Sequence, residues 1–332
     1  MLNVGVIGGG LIAKEHLQAI QSLDELQAVA LAEIDSSKRD ALAEEFRLNG
    51  YTDYKQMIHE TTPDIVIITL PHHLHKEAAL FSAQQGCHLL LEKPMALNSK
   101  DCEEVLAAAT EHNVQLLVGH IQHYFQENKR AKRVIHELKL GELVFINEKR
   151  HLNYFTADRP EWFLDPDCSG GGIIMNIGAH CIDKIQWVVN EPFTKVTANL
   201  SYTSPGIEGA GLLHMETESG IPVSVSISGY NPVPKQLTEF VFTNGMMKVE
   251  IGKGVWVSKG GKYEQVYASN LDHPFQEQLT ELVNGITGKA PIENTGVYGK
   301  SIIQVIESIY QSDQESRAVR VSHSYQGKGE LL

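Results

Sequence analysis

The amino-acid sequence predicts an α/β protein, a doubly wound parallel sheet followed by a second domain on a large, mostly antiparallel open sheet. Up to about residue 120, short apolar runs such as Val4-Gly5-Val6-Ile7, Ile65-Val66-Ile67-Ile68 and Leu89-Leu90-Leu91 alternate with helix-length segments. That is the pattern of strands buried on both faces of a parallel sheet. Beyond it, strand-like runs come at short intervals, separated by turn signals at Glu218-Ser219-Gly220, Asn244-Gly245 and Gly260-Gly261, as in antiparallel connections. Val223, Val225 and Ile227 alternate with Ser224, Ser226 and Ser228, the mark of a sheet with one apolar and one polar face.

A chain of 332 residues suits about two domains, and 42% hydrophobic with 21% charged residues is an ordinary globular composition. A formal charge of -13 disfavours a nucleic-acid backbone or an anionic membrane as partner. Cys87, Cys102, Cys168 and Cys181 show no C-x-x-C spacing, so they read as buried thiols in a reducing compartment. The apolar, Gly-rich start lacks a basic n-region and no run approaches a membrane span, and the expected location is the cytoplasm.

In chain order, the strand Val4 to Ile7 runs directly into Gly8-Gly9-Gly10-Leu11-Ile12-Ala13. Gly8, Gly10 and Ala13 fit G-x-G-x-x-G/A. The first glycine allows a tight turn, the second lets the backbone approach a pyrophosphate, and the small third residue keeps the helix close to its strand. Gly8, Gly10, Leu11 and Ile12 are thus candidate cofactor contacts. Lys14 to Ile20 is helical, and Ala28 to Ala32 is a second strand closed by Glu33, 20 residues after Ala13. An acid there accepts hydrogen bonds from an adenosine ribose and repels a 2′-phosphate, which favours NAD. Lys38 and Arg39 lie just beyond and can reach such a phosphate, so NADP stays open.

Asp35 to Phe46 and Asp53 to Glu60 are helix-like, and Ile65 to Ile68 is the next strand. Pro71 ends it, and His72, His73 and His75 precede a helix from Lys76 to Gln85. The histidines have no Cys or carboxylate partners at metal-ligand spacing, so they read as crevice-lining or solvated rather than as a zinc site, and no metal is expected. Leu89-Leu90-Leu91 leads into Glu92-Lys93-Pro94. Proline cannot donate to a ladder, so the strand stops there, leaving Lys93 on the rim where open α/β sheets bind ligands. Asp101 to His112 and Gln115 to Val118 complete a dinucleotide-binding domain over residues 1–120, with 121–332 forming the second domain.

In the second domain Val144 to His151 is a strand, and the loop from Asn153 to Asp167 carries Tyr154, Phe155, Asp158, Arg159, Trp162 and Phe163, either a packing plug or a pocket wall. Gly170-Gly171-Gly172 opens a helix to about Val189, with Ile174, Ile177, Gly178, Cys181, Ile185 and Val188 as its core stripe. Asn176, His180 and Asp183 fall on another face at intervals of four and three, so their side chains are expected to be neighbours. Six strands come next, from Lys195 to Tyr202 through Val255 to Ser258, then amphipathic helices at Phe275 to Ile286 and Gly299 to Gln311.

Together these pieces resemble the glucose–fructose oxidoreductase / inositol dehydrogenase / rhizopine-catabolism (Gfo/Idh/MocA) family over essentially the whole chain. The resemblance rests on Val4 to Gly10, Pro71 to His75, Glu92-Lys93-Pro94, Gly170-Gly171-Gly172, the helix of His180 and Asp183, and the pattern from Phe275 to Val321. It implies a Rossmann domain, a C-terminal α/β domain, a substrate cleft between them, and a homodimer or homotetramer. The implied reaction moves a hydride between NAD or NADP and a carbinol or carbonyl carbon of a sugar, sugar derivative or cyclitol. Lys93 matches the family's catalytic lysine and His180 its general acid/base, while Asn176 stands where the family commonly has an aspartate. Pro71, His72, His75 and Glu92 line the cofactor crevice in this reading, and Tyr154, Arg159, Trp162 and Asn176 join Lys93 and His180 as substrate contacts. Asp183 is either a partial substitute for the missing aspartate or a structural acid. The alternatives are a non-catalytic NAD(P)-binding redox sensor and a glycoside-cleaving enzyme that oxidises its substrate transiently with tightly held NAD.

Overall fold

The computed structural model describes residues 1–137, 140–231, 233–270 and 273–322. They group into two compact units, one of Met1–Ile121 with His273–Lys300, the other of Gln122–Asp272 with the described residues from Ser301 on. Among the described residues no helix is long and apolar enough to cross a membrane.

The first unit begins β1 (Leu2–Ile7), α1 (Leu11–Gln21), β2 (Leu26–Ala32), α2 (Ser36–Phe46), β3 (Asn49–Tyr51) and α3 (Tyr54–Thr61). It continues β4 (Ile65–Ile68), a 3-10 turn (His72–Leu74), α4 (His75–Gln84), β5 (His88–Leu91), α5 (Ser99–Glu111) and β6 (Leu116–Val118). The strands form one parallel sheet in the order β3-β2-β1-β4-β5-β6. Ile65 to Ile68 and Leu89 to Leu91 are wholly buried, as strands covered on both faces must be. Helix starts are fixed locally: Asp35 accepts from the amides of Ser37 and Lys38, Asp53 from Lys55, and Asn98 from Asp101. The strand order reverses between β1 and β4, and the carboxyl ends of such strands open the crevice of a doubly wound fold. Asn49-Gly50 falls in β3, a three-residue edge strand on β2, too short to show a period of two.

The second unit holds a 3-10 turn (Ile121–Tyr124), α6 (Gln126–Glu137), β7 (Leu143–His151), a second 3-10 turn (Glu161–Leu164) and α7 (Pro166–Ser169). Then come a π-turn (Ile174–Gly178), α8 (Ala179–Val189), β8 (Phe193–Ser204), β9 (Ile207–Thr217), β10 (Pro222–Ser228), β11 (Lys235–Phe242), β12 (Gly245–Glu250), β13 (Gly254–Ser258) and β14 (Tyr263–Ala268). With β15 (Val319–Arg320) these strands form a nine-stranded sheet ordered β14-β13-β12-β11-β7-β10-β9-β8-β15. Its pairs are antiparallel except β7 with β10. Val223, Val225 and Ile227 are buried while the intervening serines are half-buried, as their alternation requires. Cys87, Cys102 and Cys181 are buried, but Cys168, on the short helix α7, is half-exposed.

Two helices close the chain, α9 (Pro274–Ile286) and α10 (Gly296–Glu315). The sequence places everything after residue 120 in the second domain, yet α9 belongs to the first unit. Its Leu279, Leu282 and Val283 enter one core cluster with Val4, Leu17 and Leu90. Behind it the Val118 amide donates to Asn294 O at 2.9 Å, and Leu117 bridges Thr295. An amphipathic pattern says that a helix has a core face, not which core it joins.

Helix α8 is bound to its sheet by a buried ion pair. Lys184 Nζ lies 2.7 Å from Glu148 Oε1 on β7, and Thr238 Oγ1 on β11 donates to Glu148 Oε2 at 2.6 Å. The two charged side chains are 4% and 0% exposed. Removing one partner of such a pair strands the other charge in a low dielectric, so Lys184→Met should cost about 3–5 kcal/mol. Urea unfolding measures this, and a cost below about 1 kcal/mol would mean that the pair does not bear on the seating of α8.

Candidate functional site

The glycine loop lies directly after β1. Gly8 has φ +98°, and a Cβ there would stand 2.7 Å from Thr69 O. Only glycine fits both the left-handed backbone and that approach. The loop is tied to its strands by Gly8 N to Ala32 O, 2.8 Å, and Thr69 N to Ile7 O, 2.8 Å. Gly10 starts α1 without a side-chain cap or any acid in the first turn, and a Cβ at Gly10 would meet nothing within 4 Å. Leu11 and Ile12 are exposed, while Ala13 is fully buried beneath them. The first-turn amides of α1 therefore open toward solvent beside a backbone with no side chain in the way, which fits the pyrophosphate of a dinucleotide. Glu33, at the end of β2, stands beside this loop: Oε2 accepts from Gly9 N at 2.6 Å and Oε1 from Asp35 N at 2.9 Å. Arg39 is turned away, with Nε on Asp40 and Nη1 on Thr52, and Lys38 sits 3.6 Å from Asp35.

At the carboxyl ends of β4 and β5 lie Pro71, His72, His75, Glu92 and Lys93. His75 is buried, with Nδ1 2.8 Å from Pro94 O and Nε2 2.8 Å from Leu70 O. Both ring nitrogens are thus engaged by the rim itself, and burial lowers the pKa, with the two carbonyls acting in the opposite sense. His75 consequently ties the β4 rim to the β5 rim and presents no nitrogen to a metal. His72 is buried too, its ring centroid 5.8 Å from that of His75. Glu92 is partnered on both carboxylate oxygens. Its Oε1 is 2.9 Å from Nε2 of His16 on α1, and its Oε2 accepts from the Lys93 amide at 3.2 Å. Burial raises the Glu92 pKa, but the hydrogen bond and charge of His16, with Lys93 beside it, outweigh that and hold it below the ordinary value.

The remaining candidates lie in the second unit. Asn176 sits in the π-turn, 7% exposed, and Nδ2 donates to Tyr154 Oη at 3.1 Å. Tyr154, expected among the substrate contacts, is fully buried and supports Asn176 from behind. Burial also raises its pKa, against the opposing effects of Asn176 and Arg159, so it remains a phenol. Arg159 donates to Tyr154 O through Nε, and its guanidinium lies 3.8 Å from the Tyr154 ring centroid and 4.7 Å from that of Phe163. Trp162 stacks on Phe163 at 3.7 Å. The loop is therefore a packed plug of aromatic rings around one guanidinium, with Trp162 and Arg159 half-buried at its surface.

His180 is half-buried in the first turn of α8. Asp183 is fully buried, and its Oδ1 stands 2.7 Å from His123 Nε2, whose ring stacks on Trp187 at 4.6 Å. Asn176 lies in the π-turn, which holds one residue more than an α-turn, while His180 and Asp183 both follow it on α8. Ile177, expected in the core stripe, is only half-buried, while Ile173 and Met175 are buried. His16, Thr69, Ile34 and His123 are not singled out by the sequence. Only Ile34, an apolar residue 83% exposed next to Glu33, had a local signal.

Comparison with known proteins identifies the family. Residues 2–120 match the model of an oxidoreductase family with an NAD-binding Rossmann fold, and residues 128–248 match that of the GFO/IDH/MocA C-terminal domain. The 2,7-anhydro-N-acetylneuraminate hydratase of Escherichia coli is 27% identical over 207 residues, 62% of this chain and 55% of that protein. Against this relative, the chain therefore spans about half its length. An inositol 2-dehydrogenase of Salmonella paratyphi B is 24% identical over 233 residues, 68% of this chain and 67% of that protein. The crystal structure of an aldose-aldose oxidoreductase from Caulobacter crescentus, complexed with glycerol, shares the fold with a TM-score of 0.87, covering 96% of this chain and 99% of that one at 21% identity. With both of its units matched by models of one family, the chain belongs to the Gfo/Idh/MocA oxidoreductases.

Proposed function

We propose that this protein is an NAD-preferring dehydrogenase or reductase acting on a carbinol or carbonyl carbon of a sugar, sugar derivative or cyclitol. The observation that carries the reading is the placement of Glu92-Lys93-Pro94 at the carboxyl end of β5, on the same rim of the parallel sheet as the glycine loop. A nicotinamide dinucleotide would be held through its pyrophosphate by Gly8, Gly10 and the first turn of α1 and through its adenosine ribose by Glu33, and would supply the hydride acceptor or donor. Lys93, as an ammonium, hydrogen-bonds the reacting oxygen and stabilises the negative charge that develops there as the carbinol is oxidised. His180 takes the hydroxyl proton, a task suited to an imidazole whose reference pKa is about 6.5. Asn176 orients the reacting groups by hydrogen bonding and, being neutral, adds no charge beside the imidazole.

Replacing Lys93 by Met removes the charge that stabilises the alkoxide but touches none of the residues that hold the nucleotide. Turnover should fall by about two to three orders of magnitude with NADH affinity unchanged. Retained turnover on the true substrate, found by screening sugars, inositols and sugar acids for NADH absorbance, would refute the role.

Cofactor preference is set at the β2 end. Glu33 offers carboxylate oxygens to ribose hydroxyls, and Arg39 is committed to Asp40 and Thr52. Catalytic efficiency with NAD should therefore exceed that with NADP, and Glu33→Ala should narrow the gap. Equal efficiency, or preference for NADP, in the unaltered protein would overturn this.

A second reading is favoured by the E. coli relative, which is a hydratase by name. In that case NAD held by the same residues would take a hydride from the substrate and return it within one turnover, so that no net oxidation results. Tightly held NAD in the purified protein, with product formed and no net NADH, distinguishes it from the first.

A further inference from the structure

The run Gly170-Gly171-Gly172 has no part in the chemistry proposed above, and the structure shows what it makes room for. Gly171 has φ +149°, and a Cβ there would stand 2.1 Å from Tyr310 Oη. At Gly172 a Cβ would stand 2.2 Å from Glu208 O. The glycines thus let β9 and α10 press against the start of the helix that carries Asn176 and His180. Glu208 fills that space. It is fully buried, and its Oε1 accepts from Ile174 N at 2.8 Å, Met175 N at 3.4 Å and Tyr310 Oη at 3.0 Å. Ile173, at the position that normally caps a helix, provides no side-chain hydrogen bond. A strand residue more than thirty positions away does so instead.

We propose that Glu208, oriented by Tyr310, is a positioning residue that locks the phase of the π-turn and so sets the directions of Asn176 and His180. A π-turn accommodates one residue more than an α-turn, and each residue of an α-helix turns the chain by about 100°. Relaxation of Ile174–Gly178 into an α-turn therefore rotates Asn176 away from Tyr154 Oη and re-aims His180 on α8. The carboxylate opposes this by holding the amides of Ile174 and Met175, the first two residues of the wide turn. Burial raises the Glu208 pKa, with the backbone amides and Tyr310 opposing. A residue useful only for packing would have no need of a buried acid with three donors on one oxygen.

The proposal rests on the roles given above to Asn176 and His180, so its test has one arm that needs no activity. In the full-length protein with 13C-labelled histidine, the His180 ring signal is assigned by its loss in His180→Asn. Glu208→Ala should shift and broaden that signal while those of His16 and His75 stay in place. Glu208→Gln, which keeps an acceptor oxygen, should restore it. In the activity arm, Glu208→Ala should lower kcat about tenfold or more with NADH affinity unchanged, and Glu208→Gln should recover most of it. If Glu208→Ala does not fold, Glu208→Asp takes its place, with the same shift expected because the shorter side chain withdraws from the amides. An unmoved His180 signal in a folded variant overturns the positioning role. Turnover that survives His180→Asn overturns the catalytic assignment alone, since the spectral arm still reads the helix.

Discussion

The Glu92 carboxylate takes the imidazole of His16 on one oxygen and the backbone amide of Lys93 on the other, with its side chain 12% exposed. His16 lies on α1, the helix that follows the glycine loop, and Lys93 lies just beyond β5. One largely buried acid therefore couples that helix to the rim that carries Lys93. The geometry at the rim depends on this coupling, because β5 ends at Leu91 and Pro94 cannot donate to a ladder. A carboxylate in that position is costly unless partnered. Its lowered pKa shows that His16 and Lys93 more than offset the burial.

The second unit solves the same problem with several smaller commitments. Lys184 and Glu148 fasten α8 to β7, Asp183 is held against His123, and Glu208 holds the turn that precedes the helix. Each is a charged or titratable group that the interior admits only with partners at hydrogen-bonding distance. Nonpolar contacts alone would let α8 slide or rotate at little cost, since many apolar side chains fill the same volume. The polar pairs specify one rotation of α8.

These commitments explain what the sequence makes legible and what it hides. The strands β1, β4 and β5 are apolar runs, and the glycine loop and Glu33 lie at fixed offsets from them, so the nucleotide half can be read locally. Edge elements cannot: β3 has three residues, β15 two, and β14 is exposed along most of its length. Helix α6 carries Lys129, Arg130, Lys132 and Arg133 around a thin apolar stripe of Ala131 and Val134, so its periodicity is faint. The partners at the candidate site are hidden for another reason. His16 and Glu92 are 76 residues apart, and Glu208 and Tyr310 are 102 apart, distances over which no local pattern carries information. The π-turn defeats the periodicity of the His180 helix because an inserted residue leaves the composition unchanged and alters only the phase.

At position 176 an amide and a carboxylate meet Tyr154 differently. A carboxylate only accepts hydrogen bonds, so an aspartate at this position would take the proton of the Tyr154 hydroxyl into its own hydrogen bond. The amide reverses the direction: Asn176 Nδ2 donates, and Tyr154 Oη accepts. The phenol, kept protonated by burial, then retains its own hydrogen for another acceptor. A second acid at 176 would also stand two residues from amides already held by Glu208, adding like charge to a buried region. The neutral side chain avoids that repulsion.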